Sequence, residues 1–452
     1  MSTATGVEVD RAVEPGGVWL TPSQREVDLM AQELLDHPAV RSARAEAVIR
    51  FKSAPEYESE DGKRTLAPAV DNLLFSCLQM AVNRDPARPG VLWTARLPYS
   101  VDGHEIPDSH YGADSPDRMY RMIGVSPDYS YEITVHRHPS TPSNDDNSFE
   151  ALPFPGWYGP PMVALQRHMY DVDGDTFVIT ADSRPADGRR NHLYLPQGTE
   201  HIAVRDTLLD WARQVPNMVE VRVVDGPERK VRDPEEIVRE GITLFNGCVD
   251  LTFVMVQNCM RNYPANQLVP FKRAVHWGMA GGLFGLNRFE LQHDEALMIT
   301  FESLGAQYWT IAACDAWTTS IDYDQHISCL NNAQAQPNGD GSFTVAISPT
   351  DPGIHNWLDT GGNRNGAVVA RWESMSLEAK TRGDAVSTPE AGRKPWDPEN
   401  IVTNVVRECR VIKAADVLNA APAGQDQVSP ERRTQMQADR AASHRVRMTG
   451  WL

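Results

Sequence analysis

DGDTFVIT (173–180), NHLYLPQG (191–198) and AVRD (203–206) return in the same order as DGSFTVAIS (340–348), NWLDTGG (356–362) and VVARW (368–372). Gly174 aligns with Gly341, Phe177 with Phe343, Asn191 with Asn356, Leu193 with Leu358 and Arg205 with Arg371, at a nearly constant offset of roughly 166 residues. Each copy reads as an Asp-Gly turn, an alternating strand, a proline-containing loop, Asn-x-Leu, and a strand ending in arginine. Two copies are too few for a solenoid, so the expectation is a packed pair of sandwiches or jelly rolls. Upstream, YSYEI (129–133) and QYWTI (307–311) extend the alignment, setting Tyr131 against Tyr308 and His138 against Asp315. Turn residues recur in any all-β chain, and that is the competing explanation of the repeat.

Outward from the repeat, the ends of the chain are helical. Residues 1–18 read as disordered, and Thr21-Pro22 opens a helix with Thr21 as N-cap. Val27, Met30, Ala31, Leu34 and Leu35 form its apolar stripe. Further helices are expected over about 39–52, about 68–82 (opening at Pro68), 206–214 and 234–263. The glycine-rich piece 278–287 matches no phosphate loop, the Pro/Gly/Asp-rich stretch 383–398 reads as a surface loop, and Ser429-Pro430-Glu431 starts a charged terminal helix. The expected fold class is mainly β with α segments: two duplicated jelly-roll or β-sandwich lobes plus an N-terminal helical segment. The divisions are 1–85 helical, 86–205 first lobe, 206–288 helical connector, 289–415 second lobe and 416–452 charged tail.

The chain of 452 residues carries 61 acidic and 43 basic side chains, a formal charge of −18, with 41 % apolar residues. So acidic a protein argues against nucleic acid or an anionic membrane as partner. No apolar N-terminal segment resembles a secretory signal, and the apolar run 248–260 is interrupted by Asp250, Gln257 and Asn258. None of the six cysteines forms a C-x-x-C pair. A cytoplasmic protein with reduced thiols is expected. Sheet edges in sandwiches are often paired away, which leaves a homo-oligomer open.

The second copy carries Tyr308-Trp309, Asp315, Asp340-Gly341-Ser342-Phe343, Pro352, Asn356-Trp357-Leu358 and Arg371-Trp372. As a set, over residues 290–375, these resemble a widespread bacterial family described as a domain of unknown function. The resemblance implies a two-lobed jelly-roll architecture, similar in fold to glycan-cleaving amidases, and lends no agreed catalytic residue. Many members continue with Pro-Ala-Pro after NWL, whereas this chain has Asp359-Thr360-Gly361-Gly362, the mark of a distinct subgroup.

Four constellations are candidates for chemistry. Asp315, His355, Asn356 and Arg371 combine a strand-end carboxylate as base or nucleophile, a proton relay and two oxyanion donors. The alternative is that Asn356 caps backbone and Arg371 pairs with a carboxylate. His138, Asn191, His192 and Arg205 form the matching set in the first copy. His136 and His138 lie two apart, on one face of a strand, and are weak metal candidates that His104, Glu105 and His110 could complete. Tyr308, Trp309, Trp317 and Trp357, with Trp277 and Trp372, offer aromatic faces for a sugar or a polycyclic ring, or else core packing. No dinucleotide, phosphate-loop, kinase or G-x-S-x-G pattern is present, so no cofactor is expected.

Three functions follow as expectations. The first is a hydrolase acting on a glycan-like or polycyclic hydroxylated small molecule, with Asp315, His355, Asn356 and Arg371 as its catalytic set. Tyr308, Trp309, Trp317, Trp357, Asn191 and Arg205 would be its ligand contacts. The second is a non-catalytic ligand-binding or scaffold protein with a cleft between the lobes. The third is a metal-dependent enzyme using the His136/His138 strand.

Overall fold

The computed structural model describes residues 19–141, 147–153, 162–166, 170–172, 174–272, 282–373 and 401–449. The segments expected to be disordered (1–18) or a surface loop (383–398), and Trp277, fall outside them. So do residues 278–281 of the glycine-rich piece, whose remainder runs into strand at Leu283.

Helix α1 (Pro22–Leu34) starts where Thr21-Pro22 places it, the Thr21 hydroxyl accepting from the Gln24 amide at 3.1 Å. Helix α2 (Pro38–Phe51) follows. Helix α3 (Glu60–Val82) begins well before the expected Pro68. Ser59 caps it, accepting from Gly62 N at 2.9 Å, and Glu60 and Asp61 favour the positive end of the helix dipole. Pro68 removes one intrahelical N–H bond, and the helix tolerates this because Leu66 and Val70 on either side are buried. By length and composition α3 is long and apolar enough to cross a membrane. In this fold it is a core helix, with Phe75, Cys77, Leu78 and Ala81 fully buried.

The first lobe follows as β1 (Val91–Thr94), β2 (Tyr99–Val101), β3 (His104–Ile106), β4 (Arg118–Gly124), β5 (Ser130–His136), β6 (Ser148–Pro153), β7 (Val163–Gln166), β8 (Thr176–Asp182), β9 (His192–Tyr194), β10 (Thr199–Thr207) and β11 (Met218–Asp225). Its two sheets have the orders β1-β4-β10-β6-β7 and β11-β5-β8-β9, and β2–β3 is a separate ribbon. Helix α4 (Pro234–Met255), ending in a wide turn over Val256–Met260, leads to the second lobe. There the strands are β12 (Phe271–Lys272), β13 (Leu283–Glu290), β14 (Glu295–Phe301), β15 (Tyr308–Cys314), β16 (Cys329–Asn331), β17 (Phe343–Ser348), β18 (Trp357–Asp359), β19 (Asn365–Glu373) and β20 (Val406–Lys413). Their orders are β12-β13-β19-β15-β16 and β18-β17-β14-β20. Helix α5 (Pro430–Thr449) closes the described chain.

The two lobes have one topology. Each five-stranded order in the first lobe is reproduced in the second, and so is each four-stranded order. Even the one parallel pair recurs, β8–β9 and β17–β18. Gly174 and Gly341, at φ +71° and +86°, make the same left-handed turn before these strands, the backbone state that Asp-Gly supplies at least cost. Three expectations are corrected. Tyr131 lies on β5 of a four-stranded sheet and Tyr308 on β15 of a five-stranded one, whose counterpart is β6, so their sequence likeness is alternation, not equivalence. The first lobe runs on through β11, and Asp206–Gln214 is strand end and turn rather than helix. The second lobe already begins at β12, so the helical connector is essentially α4.

Each lobe has its own apolar centre. Ile133, Ile179, Leu193 and Ile202 are fully buried in the first, and Phe289, Ile299, Val345 and Leu358 in the second. A third centre joins α1, α2, α3 and α4 to the outer face of the first lobe's five-stranded sheet, and it takes in Trp317 from the second lobe. The last turn of α4 packs Val256, Cys259 and Met260 on β13 and β19. The helices thus form one layer across both lobes. Burying such extended apolar faces is the dominant favourable term in holding layers together.

Candidate functional site

The set Asp315, His355, Asn356 and Arg371 does not converge. Arg371 on β19 pairs with Thr310 of β15, whereas Cys314, next to Asp315, pairs with Ala367. Four residues of strand, roughly 13 Å at 3.3 Å each, separate the two positions. Each side chain is also engaged in architecture. The Asp315 Oδ1 atom accepts from Trp317 N at 2.9 Å and from Thr319 N at 2.8 Å, fixing the turn that follows β15. His355 Nε2 meets the Gln334 carbonyl at 3.0 Å. Arg371 donates to the Ala113 carbonyl and lies over Phe284, 5.0 Å from the ring centroid.

Asn356 and Asn191 explain themselves together. Asn356 Oδ1 accepts from Gln336 N at 2.8 Å, and its Nδ2 donates to Gln336 O at 2.8 Å. Asn191 Oδ1 accepts from Asp171 N at 2.7 Å, and its Nδ2 donates to Asp171 O at 2.8 Å. The same amide clamp therefore holds the same backbone segment in both lobes. Arg205 forms a fork with Glu150, at 3.0 and 2.9 Å. His192 Nδ1 meets Thr180 Oγ1 at 2.9 Å.

The aromatic candidates separate as well. Trp309 sits in the second lobe's core against Phe301 and Phe343. Trp357 donates to Ser348 O at 3.1 Å and lies under Arg433. The Tyr308 hydroxyl is buried between the lobes, 2.8 Å from Ser115 Oγ and 3.1 Å from Asp117 Oδ2. Trp317 lines a recess beside the helical layer. His136 contacts Thr176 and Glu220, while His138, past the end of β5, contacts Ser140. Among the described residues no group of three His, Cys, Asp or Glu side chains is arranged to hold a metal.

The polar density lies instead along the seam between the lobes, threaded by residues 108–118. Arg118 and Glu373 form a buried interlobe ion pair at 3.1 Å. Asp117 Oδ1 accepts from Trp211 Nε1 at 2.9 Å and from Asn331 Nδ2 at 2.7 Å. Helix α5 straps the seam from outside with three buried arginines. Arg433 pairs with Asp351 of the second lobe, Arg440 donates to Tyr323 O, and Arg447 donates to Pro116 O. The guanidinium carbons of Arg440 and Arg447 stand 4.1 and 4.0 Å from the centroid of the Trp211 ring. A spacing of seven residues puts these arginines on one face of a helix, a signal present in the sequence but hidden in what reads as a charged tail.

Beside the seam lies a small, partly open recess lined by Phe51, Leu66, Ala69, Val70, Leu73, His110, Tyr111, Gly112, Thr252, Trp317 and Thr319. It is a place where helical layer, seam segment and second lobe meet. His110 Nδ1 is 2.9 Å from Asp114 Oδ2, which also accepts from Ser320 Oγ at 3.0 Å. His110 Nε2 is buried and has no hydrogen-bond partner among the described residues. Burial alone would push the imidazole down; the Asp114 carboxylate, backed by Asp108 and Asp322, outweighs it and lifts His110 to about 9. Asp114 itself is held low, its burial outweighed by His110 and Ser320. Burial has the opposite outcome at Asp315, which is pushed up to about 7 despite its two backbone bonds. Asp315 thus acts on the recess at one remove, by fixing the turn that carries Trp317 and Thr319. In the sequence His110 stands out only as a neighbour of the His136/His138 pair, and the His-x3-Asp spacing to Asp114 is the signal that marks it.

These features define a two-lobed β-sandwich protein with a helical layer and a polar seam. Residues 287–373, from β13 through β19, match the family model described as a protein of unknown function, DUF1214. No curated protein matches the chain. Among solved structures, an uncharacterized protein from Burkholderia cenocepacia aligns over 85 % of this chain and 99 % of its own, with a TM-score of 0.64 at 22 % identity. It shares the fold. The VPA0106 protein from Vibrio parahaemolyticus aligns over 68 % of this chain and 94 % of its own at 8 % identity, with a TM-score of 0.38.

Proposed function

We propose that this protein is a non-catalytic ligand-binding protein whose working site is the recess at the seam, between the helical layer and the second lobe. The observation that carries this reading is His110, which lines the recess and is held in place through Asp114, and whose buried Nε2 atom has no hydrogen-bond partner among the described residues. A buried polar atom without a partner costs about 1–3 kcal/mol, and a ligand that satisfies it recovers that free energy. The side chains expected to perform hydrolysis are each engaged with backbone or packing, which supports binding over catalysis.

The test is a thermal-shift screen of uncharged small molecules against wild type and Leu73→Trp, a variant that fills the recess. Stabilisation seen with wild type and lost with Leu73→Trp is the expected result. Steady product release from any stabilising compound would overturn the non-catalytic reading. One observation favours a second reading, hydrolysis of a glycan-like or polycyclic substrate: an imidazole oriented by a carboxylate is an acid–base arrangement. In that case His110, not Asp315, would transfer the proton.

A further inference from the structure

We infer that Cys77 and Cys248 form an oxidation site: a disulfide closes between them, stapling α3 to α4 and enclosing the whole first lobe in a covalent ring. Neither residue lines the recess, so the bond is independent of the binding reading above. Contact, helix geometry and chain position all lead to it.

The Cys77 thiol donates to Cys248 Sγ across 3.5 Å, and both residues are fully buried. A bond requires the two sulfurs to close to about 2.05 Å. The helices that carry them approach closely. Gly241 of α4 faces α3, where an added Cβ atom would come within 2.8 Å of Leu78 Cδ2 and 3.6 Å of Ala81 Cβ. Cys77 stands about one helical turn before Ala81, and Cys248 about two turns after Gly241, so each cysteine continues the face on which the helices meet. The other four cysteines belong to other places. Cys329 accepts from Arg440, Cys314 ends β15, Cys259 packs on β13 and β19, and Cys409 lies on β20.

In sequence the two cysteines are 171 residues apart and bracket every strand of the first lobe, β1 to β11. A crosslink that closes so long a loop removes much of the freedom of the unfolded chain. The oxidant is a small-molecule disulfide such as oxidised glutathione. One cysteine, as its thiolate, attacks that disulfide; a mixed disulfide forms and one glutathione thiolate leaves. The second cysteine, as its thiolate, attacks the protein sulfur of the mixed disulfide; the Cys77–Cys248 bond forms and the second glutathione leaves. Two protein S–H bonds are lost and one S–S bond is gained. Two electrons pass to the oxidant, and the two protons pass to its thiolates. The thiolate is the reactive form, and burial pushes the Cys77 thiol far up. The closed core therefore reacts slowly, and the reagent enters through local opening of the helical layer. In a reducing compartment both thiols persist as small apolar side chains of the core.

The experiment incubates the full chain with oxidised glutathione at mildly alkaline pH, in denaturant just below the unfolding transition. The chain is then returned to buffer and digested without reduction for peptide mapping by mass spectrometry. The expected result is one linked pair of peptides that joins Cys77 to Cys248 and is released by dithiothreitol. The oxidised chain is also expected to unfold at a higher denaturant midpoint than the reduced chain. Cys248→Ala abolishes both the linked pair and the difference in midpoint. If that variant fails to fold, oxidised against reduced wild type supplies both readings. Recovery of Cys77 and Cys248 as free thiols or as separate glutathione adducts, while the half-buried Cys409 reacts, overturns the site. So does a link from either residue to another cysteine. A Cys77–Cys248 link that leaves the midpoint unmoved overturns the stapling role.

Discussion

The two lobes share a topology and an asparagine clamp and differ in what surrounds them. In the first lobe Asn191 is partly exposed and makes its two bonds to residue 171. In the second Asn356 is fully buried and adds a third bond, to Thr344 O at 2.9 Å. The paired arginines diverge further: Arg205 is neutralised within its own lobe by Glu150, while Arg371 reaches out to the seam segment at Ala113. The second lobe also sends Glu373, Tyr308, Asn331 and the 315–319 turn into the seam. What repeats is therefore scaffold, and what does not repeat points toward the seam. Residues that recur in both copies attract attention in a sequence, but here their recurrence marks a folding need.

Substitutions at matched and unmatched positions can break or sharpen that contrast. The largest effect is expected at the seam. Arg118→Met removes the buried interlobe cation that pairs with Glu373 and should lower unfolding free energy by about 3–5 kcal/mol in chemical denaturation. A loss below about 1 kcal/mol would mean that the lobes do not depend on each other. Asn356→Ala removes three bonds, two to the half-buried Gln336 backbone and one to the buried Thr344 carbonyl, and should cost about 2–3 kcal/mol. Asn191→Gly, which retains the left-handed backbone at φ +53°, should cost about 1 kcal/mol. Equal losses at the two asparagines would erase the distinction between the lobes.

Asp315→Asn separates architecture from chemistry. Asn retains an Oδ1 acceptor for both Trp317 N and Thr319 N and removes a carboxyl that burial pushes up to about 7. A raised carboxyl binds its proton more tightly in the folded state, so its contribution falls as pH rises from about 4 to about 7. The variant should match wild type near pH 4 and exceed it at pH 8, by on the order of 1–2 kcal/mol. A less stable variant at pH 8 would show that the ionised carboxylate is needed. His110 works in the next window. Its folded value of about 9 stands above the unfolded value, so its stabilisation is complete below about 6.5 and is lost as pH rises through 9. His110→Gln should flatten melting temperature against pH over that interval while the Asp315 limb persists, a small change read by calorimetry in two buffers.

The sequence carried much of the scaffold in plain view. The repeat, the strand-rich middle, the Thr21 cap and the helix starting at Pro430 are all local patterns, set by turn chemistry and apolar period. Boundaries failed where local signals compete with packing. Pro68 read as a helix start because a proline is welcome there, yet the capped Ser59 and burial on both sides carry α3 through it. Tyr131 and Tyr308 read as equivalent because short alternating strands look alike whichever sheet they join. The site was least legible. His110, Trp317, Phe51 and Thr252 come from four places in the chain, and only the packing of helices against the second lobe brings them to one recess. A buried arginine face on α5 is equally invisible when its residues are read as a soluble tail.

The most direct test of the central claim, that the working site is the seam recess and not the Asp315–His355–Asn356–Arg371 set, is a crystallographic fragment screen on the full chain. Fragment density is expected in the recess, with an acceptor atom within hydrogen-bonding distance of His110 Nε2. Density gathered around His355, Asn356 or Arg371, with the recess left empty across the screen, would contradict it.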